Sequence, residues 1–209
     1  MPERFKTNSK KPGVHARLFS WVGAVVLVLT PVAASAQSDA QSGAVESLGT
    51  RPCSALIAAQ TEDETLYGAF GVWIGGYLTA ANAYEDSTFD LTPWQPVELA
   101  TAQIAVACKQ QEDATIAAVT ASYVKFLKDQ RLTETSELLR LRAGDQAMFI
   151  YVSVLADIRA RLEAQGLTIT DPEGEFGASF GRVLQRYQRE NNLAETGLPD
   201  TRTLILLYR

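Results

Sequence analysis

The sequence predicts an all-α protein, and two observations carry that expectation. Apolar residues recur at steps of three and four over Leu66, Phe70, Trp73, Ile74, Tyr77, Leu78 and Ala81, and again over Val154, Leu155, Ile158 and Leu162. That spacing lines one face of a helix. Turn-forming and polar residues fall between such runs, at 85–96 with Pro93 and Pro96, and in the polar stretch at 132–137. The chain of 209 residues then divides into an amino-terminal segment 1–36, a lead-in 37–50, a helical domain 51–131, a connector 132–137 and a second domain 138–209.

Segment 1–36 has the layout of a secretory signal peptide. Arg4, Lys6, Lys10, Lys11 and Arg17 precede an apolar run from Val22 to Leu29, and Ala34-Ser35-Ala36 supplies an A-x-A cleavage site. The same residues could serve as a retained anchor. The short apolar run, interrupted by Pro31, favours cleavage. Cleavage near Gln37 implies a periplasmic, bacterial-envelope location. Residues 37–50 are small and polar and read as a disordered lead-in.

Removal of the signal changes the available chemistry. The single histidine, His15, goes with it, so Ser-His-Asp and Cys-His catalysis and histidine-containing zinc sites are excluded from the mature chain. The remaining 173 residues carry 14 basic and 23 acidic side chains, a balance of −9. Nucleic acid is a poor partner for such a surface. Adjacent acids such as Glu62, Asp63, Glu64, Glu85 and Asp86 read as solvated charge, and no catalytic motif accompanies them. The sequence points to no enzyme, no cofactor and no metal.

Cys53 and Cys108 are the two cysteines. An even count in an exported chain predicts a disulfide. They do not form a C-x-x-C pair, which speaks against a redox site. A first helix starts at Cys53 or Ser54, just after Pro52, and a second runs from Thr65 to Tyr84. Gly68, Gly71, Gly75 and Gly76 weaken this second helix and could permit close helix packing. A third helix is expected from Val97 to Gln111 and a fourth from Asp113 to Gln130, so the bridge would join the first helix to the third.

The placement of Cys53 and Cys108 around Trp73-Ile74-Gly75-Gly76-Tyr77-Leu78 resembles small exported helical proteins of the HdeA-like type. That resemblance covers about 80 residues and implies an all-helical fold closed by one disulfide. The type includes acid-stress chaperones and secreted immunity proteins, which implies another envelope protein as a partner.

The other half resembles the peptidoglycan-binding-like domain, a three-helix module. The resemblance rests on Phe180-Gly181-Arg182-Val183-Leu184-Gln185-Arg186-Tyr187-Gln188, on Gly174-Glu175-Phe176-Gly177, and on Thr196-Gly197 followed by Asp200 and Thr203. It implies helices at about Ala147–Gln165, at about Ala178–Asn191 and from Asp200 onward, with no strand and with Val183, Leu184 and Leu204 in the core. Leu139, Leu141, Gly144 and Asp145 would be its lead-in. Asn191-Asn192 stands where the family often has glycine, and Asn tolerates the left-handed turn required there. The apolar run Met148-Phe149-Ile150-Tyr151 could pack against the first domain.

The implied partner is peptidoglycan, through its stem peptide or glycan. All nine basic residues of 138–209 are Arg, whose planar fork suits carboxylates, although a compositional habit would produce the same bias. Arg182, Arg186, Arg189, Asn192 and Arg202 are the exposed candidates for ligand contact, and a solvated helix face would look the same at each.

Overall fold

Seven α-helices and one two-stranded hairpin make up the regular structure of residues 43–209, the part described in this computed structural model. The expected export signal, its cleavage site, His15 and the first part of the lead-in, 37–42, lie outside the described residues.

The end of the lead-in departs from the expected disorder. Ser47–Thr50 forms a 3₁₀ turn, and Leu48 packs against the first core. The Trp73 indole N–H donates to the Glu46 carbonyl at 3.2 Å. Its ring covers Gly49 so closely that a Cβ there would lie 2.1 Å from Cζ2. Small polar composition suggests disorder, but here a large aromatic on a later helix supplies the surface that orders the segment.

Four helices follow: α1 Cys53–Glu62, α2 Glu64–Tyr84, α3 Val97–Cys108 and α4 Ile116–Leu127. The Asp63 carboxylate caps α2 by accepting from the Leu66 amide at 2.9 Å. Helix α3 ends three residues before the expected limit and α4 begins three after it. The intervening chain pairs with the entry to α1. The Cys53 amide donates to the Ala114 carbonyl at 2.8 Å, and the Ile116 amide to the Arg51 carbonyl at 2.9 Å. Those backbone bonds replace the ones a longer helix would have made.

Leu56, Phe70, Ile74, Leu91, Ile104, Ile116 and Leu127 fill the first core, and the Cys53–Cys108 disulfide joins α1 to α3 within it. Two of the four glycines in α2 serve helix packing. A Cβ on Gly71 or Gly75 would press on Thr101 or Val97 of α3, whereas Gly68 and Gly76 face open space. Among the described residues no helix is long and apolar enough to cross a membrane.

The second core begins with a feature that corrects the sequence expectation. Strands β1 Leu138–Ala143 and β2 Gln146–Tyr151 pair antiparallel, with Leu141 opposite Met148 and Leu139 opposite Ile150. The expected first helix over Ala147–Gln165 therefore starts only at Val152. Leu141 and Ile150 point inward while Arg140 and Arg142 point out, a period of two that no helix can satisfy. Gly144, at φ +56°, makes the turn between the strands.

Helices α5 Val152–Ala164, α6 Ala178–Glu190 and α7 Thr201–Leu207 complete the chain as the expected trio. Ile158, Leu162, Phe180, Leu184 and Leu204 are buried together, with Val183 half-buried against them. Asn192 takes the left-handed conformation after α6, at φ +56°. The Asp200 carboxylate caps α7, accepting from the Thr203 amide at 3.0 Å.

Residues 43–209 cluster as one compact unit that holds both cores. Trp94, from the loop between α2 and α3, packs into the second core. Phe89 meets Tyr151 edge-on with ring centroids 5.8 Å apart. Of the apolar run 148–151, it is Tyr151 that makes this contact, while Phe149 stays 62% exposed.

Candidate ligand-binding site

Helix α6 carries Arg182, Arg186 and Arg189 on its exposed side, at the spacing of successive turns. Their surroundings differ. The Arg186 guanidinium donates to Glu190 at 2.7 Å. Arg189 makes two parallel bonds to Glu195, at 3.0 and 2.9 Å. These bonds hold the Glu195 carboxyl below its ordinary range. Both guanidiniums are thus already matched to carboxylates of the same domain. Asn192 shapes the turn after α6, and Arg202 is exposed in α7.

Arg182 is different. Like Arg202 it has no ion-pair partner among the described residues, but it lines an open groove of about 420 Å³ together with Arg142 of β1. Phe176, Gly177, Gly181, Gln185 and Gly197 complete the lining. Arg142 is likewise exposed and without an ion pair among the described residues. The Gln185 carboxamide, also in the lining, makes no side-chain hydrogen bond among the described residues. Of the sequence candidates, the structure brings Arg182 to this groove, and the hairpin adds Arg142, which the sequence did not single out.

The groove keeps its shape through close contacts. Asp171 accepts from the Ser179 and Phe180 amides at 3.3 and 2.6 Å, which supplies the anion that the first turn of α6 favours. A Cβ on Gly177 would lie 2.5 Å from that carboxylate, so the Phe176-Gly177 turn needs glycine. The loop after α6 is held by Gln188, which is fully buried. Its Nε2 donates within 2.8–2.9 Å of the Thr196 and Thr203 hydroxyls and the Leu198 carbonyl, and its Oε1 accepts from the Gly197 amide at 2.9 Å.

Arg159 is a second structural side chain that composition could not reveal. It donates to the carbonyls of Ile169, Asp171 and Pro172 and ties the 167–177 loop to α5. The arginines of this half therefore do not all play one part. Arg159, Arg161, Arg186 and Arg189 are held within the domain, whereas Arg142 and Arg182 face a groove. Among the described residues, no three His, Cys, Asp or Glu side chains gather as a metal site would require.

Residues 154–207 match the model of a family described as "Putative peptidoglycan binding domain". The match spans α5, α6 and α7 and stops short of the hairpin. No curated protein and no solved structure matches the chain.

Proposed function

We propose that the protein is exported to the periplasm and acts there as a non-catalytic binder of peptidoglycan, held to the wall by its carboxy-terminal half. The observation that carries this reading is the family match over 154–207, which coincides with a helical trio built on the expected core residues. The −9 balance of the mature chain is compatible with it, since a wall anchor needs local contacts and no basic face. Export rests on the layout of residues 1–36. Binding is an equilibrium of polar contacts to stem peptide and sugar.

Purified sacculi test this directly. The mature protein should sediment with them, and residues 138–209 should suffice if they fold alone. A mature chain that stays in the supernatant beside a wall binder that pellets would end the proposal.

A second reading, an interaction protein acting through the amino-terminal helices, draws on the exposed side of α2. No charged residue occurs between Glu64 and Glu85, and Val72 is 78% exposed beside Gly68 and Gly76. Acidic residues flank this apolar face at both ends, so its occupant would be an apolar segment of an envelope protein with basic flanks. Crosslinking from Val72→Cys in a periplasmic extract should capture one such protein. Capture of nothing, or of acidic proteins alone, would argue against this reading.

A further inference from the structure

We infer that Arg142 and Arg182 form a carboxylate clamp that reads the free end of a peptidoglycan stem peptide. The hairpin, which lies outside the matched family region, is thus part of the binding site. This inference rests on the wall-binding reading and adds the group recognised and the residues that recognise it.

Three features of the groove select the ligand class. First, it holds two guanidiniums without carboxylate partners among the described residues, while Arg186 and Arg189 nearby are paired. Two uncompensated cations in one groove favour an anion, against the net negative charge of the chain. Their planar forks suit the two oxygens of a carboxylate. Second, the Gln185 carboxamide lies over Gly197 on the same groove without a side-chain hydrogen bond among the described residues, and one amide pairs its donor and acceptor with a peptide unit. Third, Gly181 and Gly197 bring bare backbone to the lining, Gly197 packed beneath Gln185, and Phe176 supplies an apolar wall. A peptide backbone bearing small side chains can approach such a lining closely, and its terminal carboxylate then reaches the arginines.

The helix end beside the groove does not itself supply the anion site. Asp171 already accepts from the Ser179 and Phe180 amides. The selectivity comes from side chains on two elements, β1 and α6, that only the fold brings together.

Sedimentation with purified sacculi, using the whole mature chain, tests the clamp. Arg142→Gln and Arg182→Gln should each weaken retention about tenfold, the loss of one charge-assisted contact. Lys125→Gln, which removes an exposed charge on α4, should not change it. A tripeptide of small residues with a free carboxylate should compete for binding, and the same tripeptide with a terminal amide should not. Circular dichroism of each variant should match the parent. If the parent sediments but both arginine variants sediment equally well, or acid and amide peptides compete alike, the clamp is wrong and the wall-binding reading survives. If the parent itself fails to sediment, both are wrong.

Discussion

The indole of Trp94 stacks on the phenol ring of Tyr208, with centroids 4.9 Å apart and planes inclined by 27°. Trp94 comes from the loop between α2 and α3, and Tyr208 follows the last helix. One aromatic pair in the second core thus ties the α2–α3 loop of the first four helices to the end of the chain, more than half of its length away.

That junction predicts cooperative unfolding. Stacked aromatics contribute about 1 kcal/mol beyond the area they bury, and truncating a half-buried tryptophan should cost about 2 kcal/mol in all. The parent protein should lose far-UV and near-UV circular dichroism in one urea transition. Trp94→Ala should lower the midpoint and separate the transition into two. A single unshifted transition in the variant would mean that the cores are held together elsewhere.

Alkaline pH should destabilise the fold through two tyrosines. Burial raises the Tyr123 hydroxyl from 10.0 to about 12. It raises Tyr208 as well, with the negative charge of Asp157 adding to the effect. The folded state therefore retains these protons at a pH where the unfolded chain has released them. Stability is fully present below pH 10 and declines as pH rises toward the folded values. Burial raises Tyr151 and Tyr187 as well, so tyrosinate absorbance should show several late-ionising groups, one of them lost in Tyr123→Phe and another in Tyr208→Phe. Early ionisation of all seven tyrosines would contradict the burial.

Much of this architecture is legible in the chain. The α2 stripe follows from spacing and the Cys53–Cys108 bridge from the cysteine count, while the Asp200 cap and the left-handed Asn192 follow from the family resemblance together with local chemistry. The hairpin was legible in part. Leu139-Arg140-Leu141-Arg142 alternates with period two, but Met148-Phe149-Ile150-Tyr151 is a short apolar run that suits strand or helix equally. The groove was not legible. Arg142 and Arg182 are 40 positions apart, and only tertiary packing sets them on one surface. Whether an arginine on α6 is free or paired depends on Glu190 and Glu195, whose side-chain directions spacing does not define.

The disulfide should matter most to the first core. Its cysteines are 55 residues apart in sequence, and both are fully buried. Closing a loop of that size restricts the unfolded chain and stabilises the fold by about 4 kcal/mol on the entropy account. Urea titration of Cys53→Ala/Cys108→Ala should show a loss of that order. The change should appear first in probes of α1 to α4, because the second core contains no cysteine. Equal midpoints for parent and variant would show that side-chain packing alone holds α1 against α3.

Gln188 gives the sharpest test of how the groove is built. A glutamine within an amphipathic helix ordinarily faces water, yet this one is fully buried and bonded at both ends of its amide. Gln188→Leu keeps similar volume but strands the Gly197 amide, while the Leu198 carbonyl and the two threonine hydroxyls each lose one bond and keep others to Thr196 or Asp200. A buried polar group left without a partner costs about 1–3 kcal/mol, so a net loss of about 2 kcal/mol is expected in urea unfolding. Gly197 also lines the groove floor. Sacculus retention should therefore fall in Gln188→Leu even at temperatures where circular dichroism shows the protein folded. A variant with unchanged stability would mean that water or backbone adjustment satisfies the turn. A destabilised variant with normal retention would mean that the floor at Gly197 makes no contact with the ligand.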